Sequence, residues 1–413
     1  MTDICYSKPN FFSAEQALLS IRQAVRSISE QEIVDLSNAL DRILAQTINS
    51  PIDIPPQRNA AMDGYAFSSK DMTPNQSFTL RIAGTSWAGN PFNVRLAPEQ
   101  CVRIFTGAVV PDFADSVIAQ ENVIVNGESV TFPENTQAFK NIRAIGSDVT
   151  KNDTLILAPK RLNPSDLGLL AAAGIENIPV YRQVKIGFFS TGDELVGIGQ
   201  TLQSGQIYDS NRYLLAAMLN DPKYLVTDLG VIKDDPRSLE NTLISAAERF
   251  DALISTGGAS VGDADFVKQT LEKCGQVNFW KLAIKPGKPL AFGKIKNCLF
   301  FGLPGNPIAV LVTYQQFVKS ALAQLAGATQ TQTLQVRARC ETAIRKSPGR
   351  QEYQRGILKQ LAQGEFTVKP AGRQDSHQLK VASLANCFII LEKDCSGIEV
   401  GQMVTVEPFE IQL

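Results

Sequence analysis

The chain reads as a multidomain protein of α/β and β parts, centred on a doubly wound α/β domain, and three changes of hydrophobic period predict it. From Val184 to about Gly327, apolar runs alternate with amphipathic ones. From about Ile52 to Gly146, and again after Gln330, short alternating runs are broken by Gly, Pro and Asn without a helical stretch of useful length. At 413 residues the chain exceeds one ordinary core. The predicted division is an N-terminal helical and linker domain (1–51 with 147–182), an inserted β domain (52–146), the α/β domain (183–328) and a C-terminal β-barrel domain (329–413).

Along the chain, SAEQALLSIRQAV opens with Ser13 and Gln16 in capping-box spacing, predicting a first helix. A second helical pattern runs from about Leu36 to Thr47. NPSDLGLLAAAGI, with its cap and proline at Asn163 and Pro164, predicts a further helix that packs back on the first two. Within the α/β part the predicted strands are VKIGFFS, YLVTDLGVI, DALIST and CLFFGL, with helices beginning near Ser210, Pro236, Asp263 and Pro307. The C-terminal strands are expected in TLQVRARCETAI, EYQRGILKQL, GEFTVKPAG, NCFIILEKD and MVTVEPFEI.

Composition excludes several functions. Forty Lys and Arg against 41 Asp and Glu leave no global field for a polyanion, so neither nucleic acid nor an acidic membrane is expected as partner. Neither a signal peptide nor an apolar run of membrane-spanning length is seen, and the expected location is cytoplasmic. The seven cysteines form no CxxC pair, and the single histidine, His377, rules out a histidine-cluster metal site and argues against a Ser-His-Asp triad. A surface loop position is expected for His377. Any chemistry must rest on carboxylates, lysines, arginines and a hard metal ion.

Four loops are expected on the carboxyl edge of the α/β sheet, where such folds bind ligands. STGDEL offers Thr191 and Gly192 to an oxyanion and Glu194 to a metal. Asp234 and Asp235 follow the strand ending at Ile232. In DALISTGGASVGDAD, Gly257, Gly258 and Ser260 let backbone N–H groups approach a ligand, with Asp263 and Asp265 where a helix begins. That turn has no Walker lysine, so carboxylates beside it suggest a cation bridging an anionic substrate. Each acidic residue could equally be a helix N-cap, the commoner use of Asp after a strand. The fourth loop region, FWKLAIKPGKPLAFG with LPGNP, places Lys281, Lys285 and Lys288 among rigid prolines, and its Pro304–Pro307 turn offers the free N–H groups of a helix start.

The set AMDGYA, FTGAVVP, STGDEL, GQIYDSN, GGASVGDAD, KLAIKPGKP and LPGNP resembles the molybdopterin molybdotransferases, a family that includes the E domain of gephyrin. The resemblance extends over essentially the whole chain. It implies an α/β domain of the molybdopterin-binding type and a homodimer whose active site lies between the α/β domain of one protomer and the inserted domain of the other. It further implies adenylylated molybdopterin and molybdate as substrates, Mg2+ as cofactor, AMP as a product, and the molybdopterin adenylyltransferase as an expected partner. On this resemblance Glu194, Asp234 and Asp265 take the metal side. Lys281 and Lys285 hold oxyanion oxygens, and Pro304, Pro307, Arg355 and Ser376 enclose molybdate. Asp63 and Thr106 arrive from the partner subunit's β domain, and Asp148 keeps a carboxylate at the site.

Two positions depart from the family pattern. Arg58 and Ala60 stand where an acidic residue and a serine are usual, suggesting a lost hydrogen bond, and Ser147 replaces a glutamate before Asp148. Two other classes of function share the fold: an adenylyltransferase for the preceding step, against which the extra β domains argue, and a nonenzymatic scaffold.

Overall fold

A computed structural model describes residues 11–73, 75–233, 235–257, 266–329 and 333–409. Helix Ala14–Ala24 begins with a reciprocal capping box: Ser13 Oγ accepts from the Gln16 N–H at 3.1 Å, and Gln16 Oε1 accepts from the Ser13 N–H at 2.9 Å. The predicted second helix does not form. Leu36–Asn38 make one 3-10 turn, Asp41 takes φ 61°, and Ile43–Leu44 and Ile48–Asn49 are short strands. Packing overrides the helical spacing there, because Leu44 is buried with Leu162, Leu170, Ile178 and Val180 in a small core of its own.

Helix Pro164–Ala172 has the predicted cap, Asn163 Oδ1 accepting from the Asp166 N–H at 3.0 Å, but it lies on that small core. It does not pack back on the first helix, whose Ala17 and Ile21 are buried against the α/β domain beside Phe317, Ala321 and Leu322. The N-terminal part therefore holds fewer helices than expected and a four-stranded antiparallel sheet instead. Strand Asn177–Tyr181 sits between Gln31–Asp35 and Ile43–Leu44, so residues on both sides of the inserted segment share one sheet.

The inserted β domain is a six-stranded sheet in the order Ser116–Ala119, Gly64–Phe67, Gln100–Ile104, Phe78–Ser86, Ser129–Phe132, Ile124–Asn126. One core holds Ala66, Ile104 and Val117; another holds Tyr65, Phe67, Phe78 and Phe132. Alternate residues of Gly64–Phe67 thus serve opposite sides, as the two-residue period requires.

The α/β sheet runs Tyr224–Ile232, Val184–Thr191, Ala252–Thr256, Cys298–Leu303, Pro289–Ile295, Gln276–Lys281. The first four strands are parallel, as the apolar runs predict. The last two are antiparallel and fall where the sequence reading saw only a lysine loop. Helices Pro236–Ala247 and Phe266–Cys274 contribute Leu239, Leu243 and Leu271 to the core on one face. Ser210–Met218 and the helical run 307–325 cover the other.

The chain leaves Val184–Thr191 for the strand on one side and then crosses to Ala252–Thr256 on the other. A crevice therefore opens between the carboxyl ends of these two strands.

In the C-terminal domain, Gln351–Gln360 pairs with both Phe366–Pro370 and Cys387–Leu391, and Met403–Pro408 with Val336–Cys340, closing a β-barrel. Closure removes the sheet edges. The barrel is tied to the α/β domain by Tyr353, Phe388 and Ile390, which join its core, and by Gln316 Nε2 donating to Glu407 Oε1 at 2.9 Å. The described cysteines are free, and burial pushes the Cys101, Cys298 and Cys387 thiols up to about 12, which makes them inert. No helix among the described residues is long and apolar enough to cross a membrane.

Candidate active site

The crevice is closely fitted at its base. Ser190 Oγ and Thr256 Oγ1 are 2.9 Å apart in the buried interior, joining the two strand ends. Gly257 has φ +87°, and a Cβ built on it would lie 2.6 Å from the Thr191 carbonyl oxygen, so only glycine allows this approach. Thr191, Gly192 and Gly257 are thus brought together. The Glu194 carboxylate folds back over Gly192, where an added Cβ would meet Oε2 at 2.7 Å. Its oxygen donors suit a hard divalent cation.

Gly258, Ser260, Asp263 and Asp265, with Asp234, lie outside the described residues. Among the described residues no three acidic, His or Cys side chains form a metal set. Asp235 is a helix cap: its Oδ1 accepts from the N–H groups of Arg237 and Ser238 at 3.1 and 3.3 Å. The Ser238 hydrogen bonds hold this carboxyl below its usual range.

A second group forms where the α/β domain meets the barrel. Residues Ile284–Lys285 pair in parallel with Gln351–Glu352, and Lys285 Nζ lies 3.3 Å from Glu352 Oε1. Gln354 Nε2 donates to the other oxygen of this buried glutamate at 2.9 Å. Lys285 also lines a cleft of about 570 Å³ with Arg345, Lys346 and Arg350 from the barrel. The Lys346 ammonium is already engaged by the carbonyls of Ser347, Lys393 and Cys395. Lys281 ends the edge strand of the sheet, and Lys288 lies 5.5 Å from the Phe11 ring centre.

Two expectations change here. Arg355 was expected to face molybdate, but its side chain is fully buried. Its guanidinium donates to the carbonyls of Arg373, Gln374 and Asp375 at 3.3, 3.3 and 3.0 Å, and desolvation lowers its pKa. It holds the loop that carries Ser376 and exposed His377. The helix start at Pro307 was expected to offer free N–H groups. Proline has none, and the Ile308 N–H donates to the Ser376 carbonyl at 3.2 Å. Pro304 is buried ahead of this turn, so Pro304, Pro307 and Ser376 do converge, through backbone contacts.

In the inserted domain, Asp63 and Thr106 are partners. Asp63 Oδ1 accepts from the Thr106 N–H at 2.8 Å and from its hydroxyl at 2.7 Å. These bonds, the backbone one first, hold the Asp63 carboxyl below its usual range, so it is ionised at neutral pH and a poor proton acceptor. Asp148 is exposed, its N–H donating to the Ile54 carbonyl. The hydrogen bond thought lost at Arg58 is replaced: its guanidinium donates to the Ala114 and Pro111 carbonyls at 3.1 and 3.3 Å, bracing the loop after FTGAVVP. Ala60 exchanges backbone bonds with Gly107 and Ala108.

Sequence reasoning missed two polar groups in GQIYDSN. Asn211 Nδ2 donates to the Gly305 carbonyl at 2.7 Å, which fixes its amide and leaves Oδ1 as a buried acceptor without a partner among the described residues. Asp209 Oδ2 is likewise buried and without a partner among the described residues, while Oδ1 caps helix Ser210–Met218. The sequence places a helix start near Ser210, but the spelling DSN alone does not tell which of its polar atoms the fold buries.

Three family profiles divide the chain: the MoeA N-terminal region (domain I and II) over residues 12–174, the probable molybdopterin binding domain over 187–324, and the MoeA C-terminal region (domain IV) over 337–409. A molybdopterin molybdenumtransferase of Haemophilus influenzae is 44% identical over 401 residues, covering 95% of this chain and 99% of that protein. The chain belongs to the molybdopterin molybdenumtransferase family. The family member from Nostoc is 34% identical, covering 96% of this chain and 93% of its own. The crystal structure of the molybdopterin biosynthesis moeA protein from Pyrococcus horikoshii superposes with TM-score 0.83 at 26% identity, covering 97% of this chain and all of that one. The family thus accounts for the inserted domain and the barrel as well as the α/β unit.

Proposed function

We infer that this enzyme transfers molybdenum from molybdate to adenylylated molybdopterin with release of AMP, completing molybdenum cofactor synthesis in the cytoplasm. The observation that carries the reading is the close apposition of Thr191 and Gly257 at the sheet crevice, within a chain whose full length matches the family. It lies at the usual ligand position of the fold, where the chain after Gly257 would bring backbone N–H groups to an anionic group.

In this reading Thr191, Gly192, Gly257, Gly258 and Ser260 bind the adenylylated pterin through backbone and hydroxyl groups. Lys281 and Lys285 hold phosphate or molybdate oxygens, with Lys285 oriented by Glu352. Pro304, Pro307 and the Ser376 loop, braced by Arg355, shape the molybdate end. Glu194, Asp234 and Asp265 would hold a magnesium ion, which would supply charge neutralisation at the pyrophosphate link. In a homodimer, Asp63 and Thr106 complete the site from the inserted domain of the partner, Asp63 as a fixed negative charge and acceptor, with Asp148 as a further carboxylate. The molybdopterin adenylyltransferase is the source of substrate in this scheme.

The test supplies the purified protein with adenylylated molybdopterin, magnesium and molybdate and follows AMP. Release that depends on molybdate is expected. AMP formation indifferent to molybdate, or none, refutes the reading.

A further inference from the structure

The inserted domain carries an aromatic shelf beside the Asp63–Thr106 pair. Strands Phe78–Ser86 and Gln100–Ile104 are parallel, with Ser86 opposite Ile104, so the next residue on each, Trp87 and Phe105, emerges at the same edge. Their rings stack at 4.1 Å between centres and 10° between planes. The indole is nevertheless half exposed. Its backbone is held by two bonds with Asn90, Trp87 N–H to the Asn90 carbonyl at 3.1 Å and the reverse at 3.0 Å. Phe105 is backed in turn by Arg103, whose guanidinium carbon lies 5.0 Å from the centres of both Phe105 and Tyr65.

The residue after Phe105 is Thr106, bonded to Asp63. A rigid indole with one face covered by Phe105, the residue before the Thr106 that bonds Asp63, suits a flat ring whose edge carries polar groups. Aromatic side chains hold nucleobase-like rings in this way, with little entropy lost because the shelf is already ordered.

We propose that Trp87, supported by Phe105, is the stacking surface for a planar nitrogen heterocycle of the substrate, delivered in the proposed homodimer to the α/β crevice of the other protomer. The inference rests on the proposed function in that adenylylated molybdopterin carries two such rings, the adenine and the pterin. Stacking on Trp87 orients one of them while the crevice holds the phosphates. The role is binding, so its loss acts on KM.

The test uses the full-length protein. The chain has two tryptophans, and Trp280 is buried against Phe12 and Phe292, so Trp87 is the solvent-facing fluorophore. AMP, a free pterin such as neopterin, and ribose 5-phosphate are titrated separately while tryptophan emission is followed. Saturable quenching by AMP or by the pterin, absent with ribose 5-phosphate and lost in Trp87→Phe, supports the shelf and tells which ring it takes. In turnover, Trp87→Ala is expected to raise KM for adenylylated molybdopterin about 5- to 100-fold with kcat changed less than threefold. Trp87→Phe, which keeps a ring, stays within about threefold of the parent in KM.

If neither ring quenches and Trp87→Ala leaves KM unchanged while molybdate-dependent AMP release persists, the shelf is refuted and the proposed function stands. If AMP release is absent but quenching is seen, the shelf stands and the reaction assignment falls. Emission already blue-shifted and inaccessible to acrylamide without ligand would show Trp87 covered by a second copy of the chain, which also overturns the proposal.

Discussion

Gly257→Ala tests the central claim that the crevice is built on a backbone approach only glycine permits. At φ +87° an alanine pays about 1–2 kcal/mol for the left-handed conformation. Its methyl would stand 2.6 Å from the Thr191 carbonyl oxygen and 2.9 Å from Thr191 Oγ1, inside contact distance. The carbonyl belongs to a paired central strand and cannot swing aside, so separating the strand ends costs a further ~1–3 kcal/mol, typical of overpacking. The total, about 2–5 kcal/mol, corresponds to a fall in thermal midpoint of roughly 10 °C for a domain of this size. Gly305→Ala is the control: no atom of the described residues lies within 4 Å of its added Cβ, and the expected change is within about 0.5 kcal/mol. Circular dichroism melting of the three proteins, with AMP release assayed at 25 °C, reads both effects. A Gly257→Ala protein melting within a degree of the parent and turning over normally would refute that claim.

Glu352→Gln keeps the shape of the buried side chain but leaves Lys285 without its counter-charge, making the cleft more positive. KM for molybdate should fall about fivefold at low salt, equivalent to about 1 kcal/mol, with the difference gone at 0.5 M salt. Arg355→Met fills the space without donating to the 373–375 carbonyls. It should cost about 1–3 kcal/mol and speed amide exchange at Ile308, whose partner is the Ser376 carbonyl. Glu407 is a pH probe, because burial raises its pKa despite the Gln316 hydrogen bond. A carboxyl raised on folding contributes stability that is full below its unfolded value, about 4.3, and is lost as pH rises through the folded one. Glu407→Gln should therefore melt higher than the parent at pH 7 and show no advantage at pH 4, measured by calorimetry.

The α/β domain was legible because its parallel strands are buried on both faces and read as unbroken apolar runs, VKIGFFS and CLFFGL being the clearest. The caps at Ser13, Asn163 and Asp235 were legible for a local reason, since each acceptor bonds within its own first turn. Leu36–Thr47 misled because Leu44 has helical spacing in sequence but owes its burial to Leu162, Leu170 and Val180, more than a hundred residues away. The antiparallel strands Gln276–Lys281 and Pro289–Ile295 were hidden by the prolines and lysines between them. For the site, residue type indicated which groups could bind an anion but not which were already spent. Arg355 and Ile308 both look available in the sequence, and in the fold both are engaged by the loop around Ser376.

That engagement changes how the site is assembled. Strand Gln351–Gln360 pairs at its start with Ile284–Lys285, presents Glu352 to Lys285, and two residues beyond Tyr353 turns Arg355 inward to hold 373–375. Its central residues also pair with Cys387–Leu391, so its position is set by the barrel rather than by the α/β sheet. The Ser376 carbonyl then meets the first available N–H of the 307–325 helical run. A single barrel strand thus determines where a cation from one α/β loop and the mouth of another helix stand relative to each other. Shifting that strand by one residue would turn Glu352 and Arg355 to the opposite faces together. In the proposed site the barrel is therefore a structural part of the oxyanion end, and its packing on the α/β domain through Phe388 and Ile390 is as much a condition of that geometry as the glycine at position 257.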